Sequence, residues 1–341
     1  MASIKEIAER SGFSISTVSR TLNNYTDVNA KTREKIMQIA KEMNYYPNAV
    51  ARSLVQKKTH TIGMFFGNKE NSALDHPFFL DIVSAVREEM GNQGYDILLF
   101  TNKTKEHSTL TTLCRERSVD GVVLLLSGEG KKRTEQLDEL QDSNIPCVAI
   151  DIPLVGDRCT YVESDNYTGA KEAVNYLISQ GHRTIAFIGG DEISKQSFDR
   201  MRGYQDALME NKLGMDPMLM RLGYFSKTRA VEEAGYLLAH KPNITAFFCV
   251  SDQMANVVIE FLNSRGMNVP EDISVMGFDD IKEAVYFRPR LTTIRQNKYE
   301  MGTQAARILL QTIDDEATRP EPVTLPCELV IRESVAKPRH I

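Results

Sequence analysis

The hydrophobic period of this chain changes once, at His60. Before that point apolar residues recur three and four positions apart, as on helices. After it, short continuous apolar runs alternate with helical patterns. Such a chain must fold as at least two kinds of domain, and 341 residues suffice for two or three. Beyond the break, Thr61–Phe66, Gly94–Phe100, Val119–Leu126 and Pro146–Ile150 read as buried parallel strands, with a helix over Phe78–Gln93 after the first. The pattern then repeats. Asn166–Gln180 reads as a helix, Thr184–Ile188 as a strand, and Asp199–Glu210 and Lys227–Ala239 as helices. Ile244–Val250 (strand), Asp252–Arg265 (helix) and Ile273–Phe278 (strand) complete it. Alternating strands and helices imply parallel sheets covered on both faces. Two rounds of that pattern imply two doubly wound parallel-sheet lobes. Ligands of such sheets sit beyond the carboxyl ends of the strands, which here is the cleft between the lobes.

The first sixty residues are built differently. Ile4, Ile7 and Ala8 share one helical face, as do Val18 and Leu22, and Gly12 lies at a turn between them. Ser14 suits the N-cap of the second helix. Ile15, Ser16 and Thr17 in its first turn, and Arg20 one turn on, project away from the apolar stripe. That is the layout of a DNA-reading helix-turn-helix, and equally of two ordinary helices in an all-α domain. Asn29 caps a third helix with Ile36, Ile39, Ala40 and Met43 buried, ending before Pro47. Asn48 then caps a short segment, Ala49–Leu54, in which Val50 and Leu54 share a face. A helix that short is unstable alone, so a nucleic acid or a second copy must support it. Charge divides at the same place. Residues 1–60 hold ten Lys/Arg and five Asp/Glu, against 31 and 41 in the remainder. A basic head suits phosphate contact, and an acidic body argues against a nucleic-acid coat.

Composition narrows the rest. At 42% hydrophobic and 26% charged the chain reads as a globular protein. No run of eighteen apolar residues spans a membrane, and the N-terminus shows no signal-peptide core, so a cytoplasmic protein is expected. Five cysteines without a C-x-x-C pair read as free thiols. Neither they nor the six histidines form a metal-binding pattern, and no cofactor is expected. No strand is followed by G-x-S-x-G, a P-loop or G-x-G-x-x-G, which leaves an enzyme reading little support. His182, in a helix-to-strand turn, reads as structural.

Polar residues at strand ends carry the remaining information. Arg200 offers a planar fork of donors, and Asp252, after the strand ending at Val250, accepts from hydroxyls. Phe78, Phe79 and Phe225 offer flat apolar faces for a sugar ring. Asp279 and Asp280 follow the last strand. Other readings stand beside these: Asp252 and Asn166 as helix N-caps, Phe78 and Phe79 as core, Asp279 and Asp280 as plain strand ends.

Three motifs together are specific. Thr17-Val18-Ser19-Arg20, Val28-Asn29-Ala30-Lys31-Thr32-Arg33 and Asn44-Tyr45-Tyr46-Pro47-Asn48-Ala49-Val50-Ala51-Arg52-Ser53-Leu54, at their observed spacing, resemble the headpiece of the LacI/GalR family of bacterial transcription regulators. The resemblance runs to about residue 335. It implies a small all-α headpiece on an α/β body like the periplasmic binding proteins. The headpiece would occupy 1–46, and a hinge helix and linker 47–59. The first lobe would take 60–162 with 292–322, the second 163–291 with 323–335, and 336–341 would form a tail. It assigns DNA contact to Ile15, Ser16, Thr17, Ser19, Arg20 and Asn23 in the headpiece. In the hinge it assigns Asn48, Val50, Ala51 and Leu54, with Leu54 wedged into the minor groove. It assigns effector contact to Asp151, Arg200, Phe225 and Asp252, and places Phe78 and Phe79 along the same walls; Asp279, from its place after the last strand, is read as a further effector contact. His76-Pro77-Phe78-Phe79 departs from the family's N-P-F-F in its first residue. The resemblance implies a repressor of carbohydrate genes that binds a palindromic operator as a homodimer under a sugar-type effector. A global regulator with a protein co-repressor, a solute-binding protein and a sugar-converting enzyme are the alternatives.

Overall fold

The computed structural model describes residues 3–23, 25, 27–45, 58–66, 76–100, 109–125 and 131–339, with the side chains of 131–134 excluded. It falls into two compact units, residues 1–60 and 61–341. The hinge segment Asn48–Leu54 lies outside the described residues, and with it the expected contacts of Asn48, Val50, Ala51 and Leu54.

The first unit holds α1 (Ile4–Ser11), α2 (Ile15–Leu22) and α3 (Ala30–Glu42). Each begins at a side-chain cap. Ser3 and Glu6 form a reciprocal capping box, Ser14 Oγ accepts from Thr17 N at 3.1 Å, and Asn29 Oδ1 accepts from Thr32 N at 3.1 Å. Gly12 ends α1 at φ 74°, a left-handed conformation that glycine adopts without a Cβ penalty, and its N–H reaches Ala8 O. Ile7, Val18 and Ile36 are fully buried at the centre of the three helices. Each contributes about 1.5–3 kcal/mol by leaving water, which holds together helices too short to stand alone.

The second unit opens with β1 (Thr61–Phe66), α4 (Pro77–Asn92), β2 (Asp96–Phe100), α5 (Leu110–Glu116), β3 (Gly121–Leu125), α6 (Lys131–Gln141), β4 (Cys147–Ile150) and β5 (Cys159–Ser164). The second lobe follows with α7 (Asn166–Ser179), β6 (Ile185–Gly189), α8 (Lys195–Glu210), β7 (Met220–Leu222), α9 (Lys227–His240), β8 (Ala246–Cys249), α10 (Asp252–Ser264) and β9 (Ser274–Met276). The chain finishes with β10 (Thr293–Gln296), α11 (Lys298–Asp314), β11 (Val323–Leu325) and β12 (Cys327–Val330). The first sheet runs β11-β5-β4-β3-β1-β2 and the second β7-β6-β8-β9, all parallel; β10 and β12 pair antiparallel. Alternate residues of one strand serve opposite faces. Val123 and Leu125 pack with Ile82, Val86 and Leu309, whereas Val122 and Leu124 pack with Leu110, Cys114 and Leu140. That alternation makes the first lobe doubly wound.

The lobes share one construction detail. In each, two helices cross with a glycine at the contact. A Cβ on Gly302 of α11 would lie 2.4 Å from Ile82 O of α4, and one on Gly203 of α8 would lie 2.4 Å from Tyr167 O of α7. Only a residue without a side chain lets backbones approach so closely. His182 is buried, with Nδ1 3.0 Å from Thr245 Oγ1 and Nε2 2.9 Å from Ala336 O, which ties the turn to the C-terminal segment.

The chain passes between lobes at three places: Asp165 between β5 and α7, Asn297 between β10 and α11, and Pro326 between β11 and β12. These crossings lie three to six residues beyond the boundaries expected at 162, 291 and 322. Strand β10 stays with the second lobe, where Ile294 joins the core, and β11 adds a sixth strand to the first sheet. Hydrophobic period marks where a strand begins but not which sheet it joins. Asp165 and Asn297 have nearly equal dihedrals, φ −71°, ψ 77° and φ −79°, ψ 71°, and each caps the helix that follows. At these two crossings a side-chain cap defines where the extended hinge stops and the rigid helix starts.

Candidate DNA-reading face and interlobe cleft

On α2 the residues expected to read DNA are arranged outward. Ile15 is 54% exposed, Ser16 and Arg20 are exposed, and Thr17 and Ser19 are half-buried. A greasy side chain that far out of the core of a three-helix unit is available for contact with a base methyl. Ser14 Oγ lies 2.8 Å from both Ser16 Oγ and Thr17 Oγ1, so the hydroxyls at the helix start form one cluster. Two residues are less free than their positions suggest. Asn23 sits at the C-cap, where its amide donates to Ser19 O at 2.9 Å. Arg20 is ion-paired with Asp27 and lies over the Tyr25 ring. Both partners are exposed, so exchanging Asp27 for a phosphate or a guanine costs roughly 0–1 kcal/mol.

In the body, the strand-end residues converge between the lobes. Arg200, on α8, is 3% exposed. Its Nε donates to Asn166 Oδ1 at 2.8 Å and its Nη1 to Val250 O at 2.6 Å. Asp279 Oδ1 lies 3.6 Å from Nη1, and the guanidinium stacks 3.9 Å from the Phe278 ring centroid. Asp279, with φ 117°, also accepts from Gln296 Nε2 at 2.7 Å. Lys298 Nζ donates to the carbonyls of Asp279 and Asp280 at 2.5 and 2.9 Å, strapping the start of a first-lobe helix to a second-lobe loop. Two further ion pairs bridge the lobes, Lys195 to Glu163 at 2.9 Å and Lys282 to Asp81 at 2.5 Å.

The cap readings shift by one residue. Ser251 caps α10 and Asp165 caps α7, which frees Asp252 and Asn166. Asp252 is fully buried: Oδ1 accepts from Thr293 Oγ1 at 2.5 Å and Oδ2 from Ile281 N at 2.8 Å. It braces the cleft wall from behind, joining β8, β10 and the loop after β9. Burial, then the neighbouring Asp279, push its carboxyl well above the usual range. Phe78 also packs inward, as its alternative reading as core has it. It is 5% exposed in the first-lobe core, and the half-buried Phe79 packs edge-on against it. A residue at the start of α4 faces both the core and the cleft, and sequence does not say which.

Asp151, Phe225 and His76 are half-buried along the wall. Asp151 follows β4 with φ 57°, and its Oδ1 is occluded without a hydrogen-bond partner. Burial raises its carboxyl to about 7 against the opposing pull of Arg200. Phe225 sits at φ 52° with its ring against Gly190, where a Cβ would lie 2.4 Å from the ring. Beside it is a cavity of roughly 150 Å³, lined in part by Gly190, Ser197, Phe198, Met201 and Leu222. That is below the ~300–1,000 Å³ of ordinary ligand pockets. His76 caps α4 through Nδ1, which accepts from Phe78 N at 3.2 Å. Burial holds its imidazole below the ordinary value, while Asp279 pulls it up and Arg200 and Lys227 push it down. The replacement of asparagine therefore keeps the cap and places a titratable ring within the field of the cleft.

Comparison with known proteins decides what this arrangement belongs to. Residues 3–48 match the model of bacterial regulatory proteins of the lacI family, and residues 174–335 match a periplasmic binding protein-like domain. The HTH-type transcriptional repressor PurR of Histophilus somni is 33% identical over 98% of this chain and 99% of its own length. The chain belongs to the LacI family. Its members include a transcriptional regulator CelR solved in complex with cellobiose. That structure is 30% identical, covers 98% of this chain and 100% of its own, and superposes with a TM-score of 0.74. The Lac repressor dimer bound to operator and the anti-inducer ONPF is 25% identical, with coverage of 98% and 99% and a TM-score of 0.81. As a LacI-family member this chain is a DNA-binding transcriptional regulator with a helical headpiece and a periplasmic-binding-protein-like body. No helix among the described residues is long and apolar enough to cross a membrane.

Four participants escaped the sequence reading: Gln296, Lys298, Asn166 as the partner of Arg200, and Asp27 as the partner of Arg20. The first two flank the Asn297 crossing, which follows a strand that the hydrophobic period does not announce. Asn166 was masked by its resemblance to a cap.

Proposed function

We propose that this chain is a cytoplasmic repressor that binds a palindromic operator as a homodimer, and that a small sugar-type effector in the interlobe cleft controls it. It performs no covalent chemistry in this reading. One observation carries the cleft assignment. Asp151, Asn166, Arg200, Asp252, Asp279 and Gln296 come from six separate places in the chain and converge between the lobes, around three crossings able to hinge. A structural relative in complex with cellobiose supports a sugar as the ligand class. An effector bound to both lobes favours one interlobe angle, and the differential affinity for the two angles is what shifts DNA binding. Such couplings are typically ~1–3 kcal/mol, or ~5–150-fold in affinity.

The test is fluorescence anisotropy with a palindromic fragment from upstream of the protein's own gene cluster, titrated with and without sugars. Release of DNA by one sugar is expected. Specific DNA binding that no sugar alters removes the effector half of the proposal. Absence of specific binding at low salt removes both halves.

A further inference from the structure

A guanidinium carries its five donors on a rigid fork, so a partner on one edge decides what the others are left to read. In the headpiece Arg20 is gripped along its side. Its Nε donates to Asp27 Oδ1 at 3.2 Å and its Nη2 is ion-paired with Asp27 Oδ2, so both carboxylate oxygens engage the same edge. The Tyr25 ring lies against the guanidinium, with its centroid 5.3 Å from the guanidinium carbon. Tyr25 is itself fastened: its N donates to Arg20 O at 3.0 Å, and Arg33 Nη2 of α3 donates to its carbonyl. The end of the fork, Nη1 with the second hydrogen of Nη2, has no partner among the described residues. We propose that Asp27 is a positioning residue that sets operator specificity, by fixing Arg20 so that the open end of its fork reads a guanine. The inference rests on the headpiece being an operator reader and names one determinant of what it reads.

Charge and geometry select the target together. An arginine already paired with a carboxylate has little net charge left to attract a phosphate, yet its remaining N–H groups still donate. The open end presents two parallel N–H groups, which match the O6 and N7 acceptors of guanine in the major groove. Adenine offers N7 beside an N6 donor, thymine a single O4 acceptor, and cytosine a donor, so each leaves one N–H without a proper partner. The side-on pair is exposed and cheap to break in the free protein. In the complex, breaking it would set a bare carboxylate against a polyanion where water is scarce and charges act strongly. A complex that keeps the pair avoids that cost. Fixing a long side chain before docking also lowers the entropy lost on binding.

The full-length protein would first select its operator from duplexes randomised over about 20 base pairs, roughly two helical turns. Affinity would then be measured for the selected duplex with each base pair replaced in turn. Arg20→Ala should abolish discrimination at one guanine of the half-site, which locates the Arg20 contact. Replacing that guanine by 7-deazaguanine, which lacks the N7 acceptor, should weaken binding of the unsubstituted protein roughly twofold to tenfold. Asp27→Ala should bind random DNA more tightly, because a negative charge is gone. The same variant should lose at least roughly fivefold of the preference for guanine over adenine at the Arg20 position, with preferences at the other positions kept. A guanine preference that survives Asp27→Ala, or one that falls equally at every position, overturns the inference while leaving operator binding intact. So does a selected site in which no guanine depends on Arg20. Failure of the full-length protein to select any sequence removes the operator-reading assignment and this inference with it.

Discussion

The DNA-reading face and the cleft both rest on polar residues at helix starts, yet they are built on opposite plans. The face of α2 comes from nine consecutive residues, Ile15 to Asn23, with Ile15, Ser16 and Arg20 exposed and the other reading side chains half-buried. The cleft comes from residues spread between positions 76 and 298, and its polar groups are buried and braced by one another. Double-stranded DNA is a large ligand that brings its own charges and base edges to a surface. A small ligand must be surrounded, so its site has to remain ordered around buried polar groups, each needing a partner. The difference predicts that a substitution in the face changes function without stability, while one in the cleft changes both.

The largest effect is expected from Arg200→Met. It strands Asn166 Oδ1, Val250 O and the Asp279 carboxyl, and breaking a buried pair from one side typically costs ~3–5 kcal/mol. Urea denaturation should show that loss. A loss below about 1 kcal/mol would mean the brace is wet and the contrast is overdrawn. A smaller effect concerns pH. The Asp151 carboxyl is raised to about 7 in the fold, so the native state holds a proton that the unfolded chain releases at its ordinary value near 4. Its contribution to stability is therefore highest below the unfolded pKa and is lost as pH rises through about 7. Asp151→Asn should flatten that decline, worth on the order of a few kcal/mol, in a series of melts from pH 5 to pH 8. The smallest effect on stability belongs to Ile15→Ala. An exposed side chain that makes no capping bond itself should change stability by less than about 0.5 kcal/mol. The same change should weaken or relabel operator preference in a competition assay with altered half-sites. Equal loss of folding would show that Ile15 is packed, and would erase the contrast.

The two regions also differ in how well sequence alone describes them. Ser14, Asn29 and Gly12 act through neighbours three or four residues away, and each is found doing what its local context implies. Arg200 and Asp279 were visible as polar residues near strand ends, but their mutual contact was not. Asp252 and Asn166 show the limit most clearly. Each stands at a helix start where the residue before it, Ser251 or Asp165, is an equally good cap, and only the backbone dihedrals choose between them. Gly203, three residues after Arg200, serves helix packing against Tyr167 O.

Hydrophobic period and local capping determined that this chain would form a helical head and an alternating α/β body, because both depend on residues within a turn or two of each other. Tertiary structure alone decided which strands share a sheet, where the chain crosses between lobes, and which carboxyls face a ligand. Those outcomes depend on contacts between residues 17 to 201 positions apart, and the physical reason is burial. A polar group removed from water takes whichever partner the fold brings within reach, and no local pattern records that partner.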